Sequence, residues 1–200
     1  ALSKTIQTIE KNFAPHLKYT EWLNLGGGHL FTGKDYNLDH LVDTLETFQR
    51  RHSHLKLLLE PGSAIAWQTG VLQSTVLDII EKKDFAIALL DISFAAHMPD
   101  CLEMPYTPKI LSGSTKPVNG YYKYKFGGLT CLAGDQVGEY YLDKRLKTGD
   151  KVVFLDMMHY TMVKTTTFNG VDLPSIAIQK KDGSFEVVRE PSFEDYSERL

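Results

Sequence analysis

Leu2, Ile6, Ile9 and Phe13 recur at helical spacing and predict a helix that Ser3 can cap and Pro15 ends. The next apolar segment, Trp22-Leu23-Asn24-Leu25, reads as a strand and runs into Gly26-Gly27-Gly28. Leu38, Leu41, Val42, Leu45 and Phe48 then line one face of a second predicted helix. Leu55-Lys56-Leu57-Leu58-Leu59 is the following strand, and Glu60-Pro61-Gly62 turns the backbone away. Short apolar runs flanked by turn residues suit strands buried on both faces, as in the parallel sheet of an α/β barrel. The order helix, strand, helix, strand is α/β, with right-handed crossovers expected.

Beyond Gly62 the pattern changes. Segments 71–80, 85–94, 121–132, 151–157, 175–179 and 184–188 are rich in β-branched and aromatic residues. Gly, Pro, Asn, Asp and Lys separate them, and Lys181-Asp182-Gly183-Ser184 is a hairpin signal. Short helices are expected near 100–104 and at the end. The pattern predicts an antiparallel β domain, sandwich or barrel, after a boundary near 62–66. A complete (β/α)8 barrel takes about 250 residues. The expected division is therefore 1–63 as the C-terminal portion of a (β/α)8 barrel and 64–200 as the β domain.

Composition narrows the function classes. The 200 residues are 42% apolar and 24% charged, ordinary for a globular protein with a sizeable core. A net charge of −3 makes no electrostatic case for nucleic acid or an anionic membrane, and mildly suits a cationic ligand. Asp91 interrupts the longest apolar stretch, so no transmembrane helix is expected, and the first residues lack the apolar core of a signal peptide. Two cysteines, Cys101 and Cys131, are too few for a disulfide scaffold, and reduced thiols in the cytoplasm are expected.

Several residues could carry chemistry. The amides of Gly26, Gly27 and Gly28 can approach a phosphate closely, although the same triplet suits an ordinary loop. His29 beside them reads as a packed or hydrogen-bonded residue. Glu60 at a strand end needs a partner, which a protonated pyridine nitrogen or a basic side chain would supply. A carboxylate and an anion cradle on successive strand ends suit one phosphorylated basic cofactor, a description that pyridoxal 5'-phosphate fits. Cys131 lies in Gly127-Gly128-Leu129-Thr130-Cys131-Leu132-Ala133-Gly134-Asp135, a glycine-flanked loop suited to a proton donor with an amine-binding carboxylate. The alternative is an inert thiol. Tyr160 can donate its phenol to a phosphate or pack in the core. His97, Asp100, Cys101 and Glu103 lie close in sequence, but prolines break their spacing and no zinc pattern is met, so no metal is expected.

Taken together these segments resemble the alanine racemase-like, fold III pyridoxal-phosphate decarboxylases. The glycine triplet, the Glu-Pro-Gly strand end, the thiol loop and Tyr160 ahead of Thr167-Phe168-Asn169-Gly170 appear in that family's order. Within it, the chain is most similar to the branch that decarboxylates carboxynorspermidine and carboxyspermidine. Leu23-Asn24-Leu25-Gly26-Gly27-Gly28-His29, Glu60-Pro61-Gly62-Ser63-Ala64, Ala66-Trp67-Gln68-Thr69-Gly70 and His97-Met98-Pro99-Asp100-Cys101-Leu102-Glu103-Met104-Pro105-Tyr106 carry this likeness.

The resemblance implies that Glu60 pairs with the pyridine nitrogen of pyridoxal phosphate, while Gly26, Gly27, Gly28, Ser63 and Tyr160 hold the phosphate. It implies that Cys131 returns a proton after carbon dioxide leaves, in a site shared across a homodimer. Asp100, Glu103, Asp135 and His29 are the candidates for binding the polyamine substrate. Leu132 stands where relatives acting on ornithine carry aspartate and diaminopimelate decarboxylases carry glutamate, which weakens both alternatives. Ser63 stands where other relatives have arginine, leaving phosphate binding more dependent on amides and Tyr160. The family's Schiff-base lysine belongs to the first barrel strand, and neither Lys109 nor Lys164 matches its motif. The chain is accordingly expected to be a fragment that works with the N-terminal half of the same enzyme; a non-catalytic β module is the other reading.

Overall fold

The computed structural model describes residues 1–198. The chain divides into two compact units, one of residues Ala1–Trp67 and one beginning at Gln68.

In the first unit, α1 (Leu2–Leu17), β1 (Trp22–Asn24), α2 (Leu38–Arg51), β2 (Lys56–Leu58) and the short α3 (Gly62–Ala66) follow in order. Pro15 lies inside α1 rather than ending it. The missing N–H costs one bond near the helix end, and burial of Leu17 in the core keeps the last turn helical. Ser3 does not cap α1; the cap position is Ala1, and the Ser3 hydroxyl lies 3.0 Å from His40 Nε2 of α2. The cap of α2 is Asn37, whose side chain accepts from the His40 amide at 2.9 Å. Glu10 of α1 accepts two hydrogen bonds from Arg51, at 2.8 and 3.0 Å, beside His52.

Strands β1 and β2 pair in parallel, with Leu23 opposite Leu57. Ile6, Leu17, Phe48 and Leu55 form the core with Leu23, Leu25 and Leu57, so the helices cover one face of this sheet. The strands are therefore not buried on both faces as their composition suggests. Trp22 is 55% exposed on the opposite face, and β2 is at most half-buried.

The second unit is a five-stranded sheet in the order β6-β5-β4-β3-β7, made of β3 (Val71–Glu81), β4 (Ala86–Leu90), β5 (Tyr122–Gly127), β6 (Gln136–Leu142) and β7 (Lys151–Leu155). A two-stranded hairpin, β8 (Ile176–Gln179) and β9 (Phe185–Arg189), follows. All pairs are antiparallel except β4 with β5. Between those two strands the chain makes a crossover carrying α4 (Phe94–His97) and α5 (Pro99–Glu103), the connection that parallel neighbours require. Strand β3 bends the sheet. Its first half pairs with β7, its second with β4, and the register shifts between Val76 and Asp78.

Phe94, Phe126, Tyr140 and Phe154 form the centre of the core, with Phe154 edge-on to the other three rings. The expected run 121–132 stops at Gly127, and 85–94 yields a strand only to Leu90 before Ser93 caps α4. Strand β6 was not expected, because Gly138 and a register shift opposite Tyr124 and Phe126 break its alternation. The 180–184 turn closes the β8–β9 hairpin, with Gly183 at φ 85° and the Asp182 carboxylate accepting from the Ser184 amide. Between β7 and β8 lie α6 (Tyr160–Val163) and a 3-10 turn at Phe168–Gly170, and α7 (Phe193–Ser197) follows the hairpin. Among the described residues no helix is long and apolar enough to cross a membrane.

Candidate functional site

Parallel pairing of β1 and β2 brings Gly26–Gly28 and Glu60 together at the C-terminal strand ends. Asn24, the last residue of β1, donates from Nδ2 to Glu60 Oε1 at 2.6 Å and accepts from the Gly26 amide at 2.8 Å. The Glu60 amide donates to the Gly26 carbonyl at 2.9 Å. A Cβ on Gly27 would stand 2.6 Å from the Glu60 carbonyl oxygen, so this glycine permits the two loops to touch. Gly26 and Gly28 have φ of 74° and 82°, and nothing lies within 4 Å of where their Cβ atoms would be. The Gly26 amide is thus engaged, while the Gly27 and Gly28 amides have no hydrogen-bond acceptor among the described residues. Glu60 keeps its second oxygen free of any protein partner among the described residues. Ser63 is half-buried in the first turn of α3, and His29 Nδ1 lies 3.3 Å from the Tyr36 hydroxyl.

In the second unit, Cys131 is exposed on the loop between β5 and β6, and Asn169 Nδ2 donates to its sulfur at 3.5 Å. Asn169 holds a left-handed conformation, φ 63°. Asp135 is 4% exposed. It accepts from the Thr130 amide at 2.9 Å, the Thr130 hydroxyl at 2.7 Å and the Ala95 amide at 3.0 Å. The other cysteine, Cys101, is buried, and burial pushes its thiol up to about 11.

Asp100 of α5 is also buried, at 7% exposure. Its carboxylate accepts from the Tyr106 hydroxyl at 2.7 Å and from Thr161 of α6 at 3.1 and 3.2 Å. Burial, with the bonds to Cys101 and Asp100, raises the Tyr106 phenol above its ordinary range. Thr161 follows Tyr160, which opens α6 and is 61% exposed. Glu103 is exposed and ion-paired with Lys164. His97 accepts from the Ser93 amide at 3.2 Å. Among the described residues no three metal-ligating side chains converge.

These bonds change the expectation for two carboxylates. Asp100 and Asp135 are buried with both oxygens hydrogen-bonded inside the fold, so neither presents an open carboxylate to an ammonium group. Of the acidic candidates in this unit, Glu103 alone reaches the surface. Asn24, Thr130, Thr161 and Asn169 received no role from the sequence. Asn24 carried a signal as a polar residue within an apolar strand, and Thr130 and Asn169 lie inside motifs the sequence singles out.

A pyridoxal-dependent decarboxylase fold with a curled sheet domain is the class these features define. The family model described as "Pyridoxal-dependent decarboxylase, C-terminal sheet domain" matches residues 20–158, and the chain belongs to this family. It is 54% identical over its whole length to a carboxyaminopropylagmatine decarboxylase of Synechocystis sp., covering 51% of that protein. It is 41% identical to a carboxynorspermidine/carboxyspermidine decarboxylase of Campylobacter jejuni, again over the whole chain and 54% of the relative. The crystal structure of carboxynorspermidine decarboxylase complexed with norspermidine, also from C. jejuni, superposes with a TM-score of 0.91 at 39% identity, covering 100% of this chain and 58% of that one. The chain thus spans about half the length of the curated relatives it matches.

Proposed function

We propose that this chain is the C-terminal half of a pyridoxal-phosphate decarboxylase that acts on a carboxylated polyamine. The observation that carries the reading is the Glu60 carboxylate held by Asn24 beside an open glycine turn. The free Glu60 oxygen would accept the pyridine N–H, and the Gly27 and Gly28 amides with Ser63 would hold the phosphate; in the second unit the exposed Tyr160 phenol is a further candidate donor to it. Pyridoxal phosphate, when bound, accepts the electron pair left as carbon dioxide departs. Cys131 returns a proton to the substrate's α-carbon, turning a carboxylated chain into the free polyamine.

The relatives favour a substrate with an amino-acid head and a long cationic tail. Carboxynorspermidine and carboxyspermidine end in an amine, carboxyaminopropylagmatine in a guanidinium group, and exposed Glu103 is the acidic candidate for such a tail. The uncovered face of β1 and β2 supports reading 1–63 as the last part of a (β/α)8 barrel whose other strands, with the Schiff-base lysine, come from the N-terminal half. The exposed apolar residues Phe185, Val187 and Val188 of β9 support a homodimer, and the two free cysteines a cytoplasmic location.

The test is carbon dioxide release and amine identification with the full-length protein on carboxynorspermidine, carboxyspermidine, carboxyaminopropylagmatine and meso-diaminopimelate. Turnover of a carboxylated polyamine is expected. Turnover confined to meso-diaminopimelate, or none on the panel, overturns the reading.

A further inference from the structure

We propose that Asp135 is the positioning residue of the Cys131 loop, holding the thiol where it returns its proton. This rests on the reading above, in which Cys131 is the proton donor. Thr130, the residue before Cys131, gives both its amide and its hydroxyl to Asp135 Oδ2. The Thr130 hydroxyl oxygen in turn accepts from the amide of Leu132, the residue after Cys131, at 3.4 Å. Both flanks of the thiol are therefore tied to one carboxylate. The backbone closes the same loop, with the Gly128 amide on the Asp135 carbonyl at 2.8 Å and the Asp135 amide on the Leu132 carbonyl at 2.9 Å. Asp135 Oδ1 fixes the assembly to α4 through the Ala95 amide, and the Leu129 amide ties the loop to the Ile92 carbonyl.

Gly128 belongs to the device. A Cβ there would lie 2.5 Å from Asp135 Oδ2, so only glycine lets the carboxylate tuck under the loop. A buried carboxylate is costly to desolvate, and no basic side chain forms an ion pair with it among the described residues. The three donors it collects are the compensation, and all three orient backbone next to the thiol or below it. Cys131 itself stays exposed, as a group that must reach substrate requires. This arrangement separates support from chemistry: the thiol acts at the surface and the carboxylate holds it from inside.

The experiment uses the full-length, cofactor-loaded protein with Asp135→Asn, Thr130→Val and Thr130→Ser, each read by steady-state kinetics and hydrogen exchange. Asp135→Asn sets an amide against the Thr130 donors, while Thr130→Val removes one hydroxyl and is the milder change if Asp135→Asn folds poorly. Both are expected to lower kcat about 10- to 100-fold with KM little changed, since misplacing a reacting group by about an ångström has that effect. Exchange of the peptide spanning 128–135 is expected to quicken several-fold, with the peptides of β3 and β7 unchanged. Thr130→Ser is expected to restore both readouts. A raised KM with unchanged kcat and unchanged loop exchange in Asp135→Asn would mean that Asp135 binds substrate, and would overturn the proposal. So would normal kcat in a Thr130→Val protein whose loop exchanges normally. Cys131→Ala separates the two levels: if it leaves turnover intact, the proton-donor reading itself has failed.

Discussion

Asn24 holds Glu60 with one end of its amide and the Gly26 backbone with the other, at 2.6 and 2.8 Å. One side chain thereby sets the spacing between the carboxylate at the end of β2 and the glycine turn at the end of β1. Asn24→Ala removes the tie, an effect of about 1 kcal/mol, or roughly fivefold weaker cofactor binding. Asn24→Asp places a second negative charge against Glu60 and is expected to weaken binding further. Cofactor titration of the full-length variants, followed by absorbance, reads both.

Gly27 and Gly28 are expected to respond differently. Gly27→Ala drives a methyl group against the Glu60 carbonyl, so the two strand ends must move apart and cofactor affinity falls sharply. Gly28→Ala meets no neighbour and incurs only its left-handed backbone strain, about 1–2 kcal/mol. Equal loss of cofactor affinity in the two variants would argue against the close approach of Gly27 to Glu60 as the reason for the triplet.

The proposed homodimer with a site shared between subunits predicts subunit complementation. Full-length Glu60→Gln and Cys131→Ala proteins are each expected to be nearly inactive alone. Mixing them with subunit exchange should restore about a quarter of the unaltered activity, because half of randomly paired dimers are mixed and each carries one intact site. No recovery after verified exchange would place both residues in one subunit's site.

His97 makes stability depend on pH. Burial holds its imidazole below the ordinary value, with the Asp172 backbone and the Asp135, Asp172 and Asp91 charges opposing. The folded state therefore prefers the neutral ring. Its contribution is complete above the unfolded value of about 6.5 and is lost as pH falls through the lower folded value. A urea midpoint for the full-length protein should drop between about pH 7 and the acid side of that window. His97→Gln should flatten this part of the profile.

Much of the fold was legible because its signals are local. The helical repeat of Leu41 and Phe48, the apolar runs ending at the glycine triplet and Glu60, and the Lys181-Asp182-Gly183-Ser184 turn all depend on residues within a few positions. The misreadings arose where distant packing overruled a local rule. Pro15 stays helical because Leu17 is buried beyond it, and β6 escaped notice because Gly138 and a register shift hide its alternation. Strand direction was equally invisible, since alternation is the same in parallel and antiparallel pairs, and only the crossover through α4 and α5 makes β4 and β5 parallel.

For the candidate site, residue chemistry along the chain was sufficient to single out Glu60, Cys131 and the glycine turn, because a carboxylate, a thiol and bare amides announce themselves by type and by the turns around them. It did not decide which carboxylates are open to a ligand. Asp100, Asp135 and Glu103 look alike as acidic residues beside interesting neighbours. Tertiary structure buries the first two against Thr161, Tyr106, Thr130 and Ala95 and leaves the third at the surface. A carboxylate's role depends on which donors surround it, and those donors come from segments that only folding brings together.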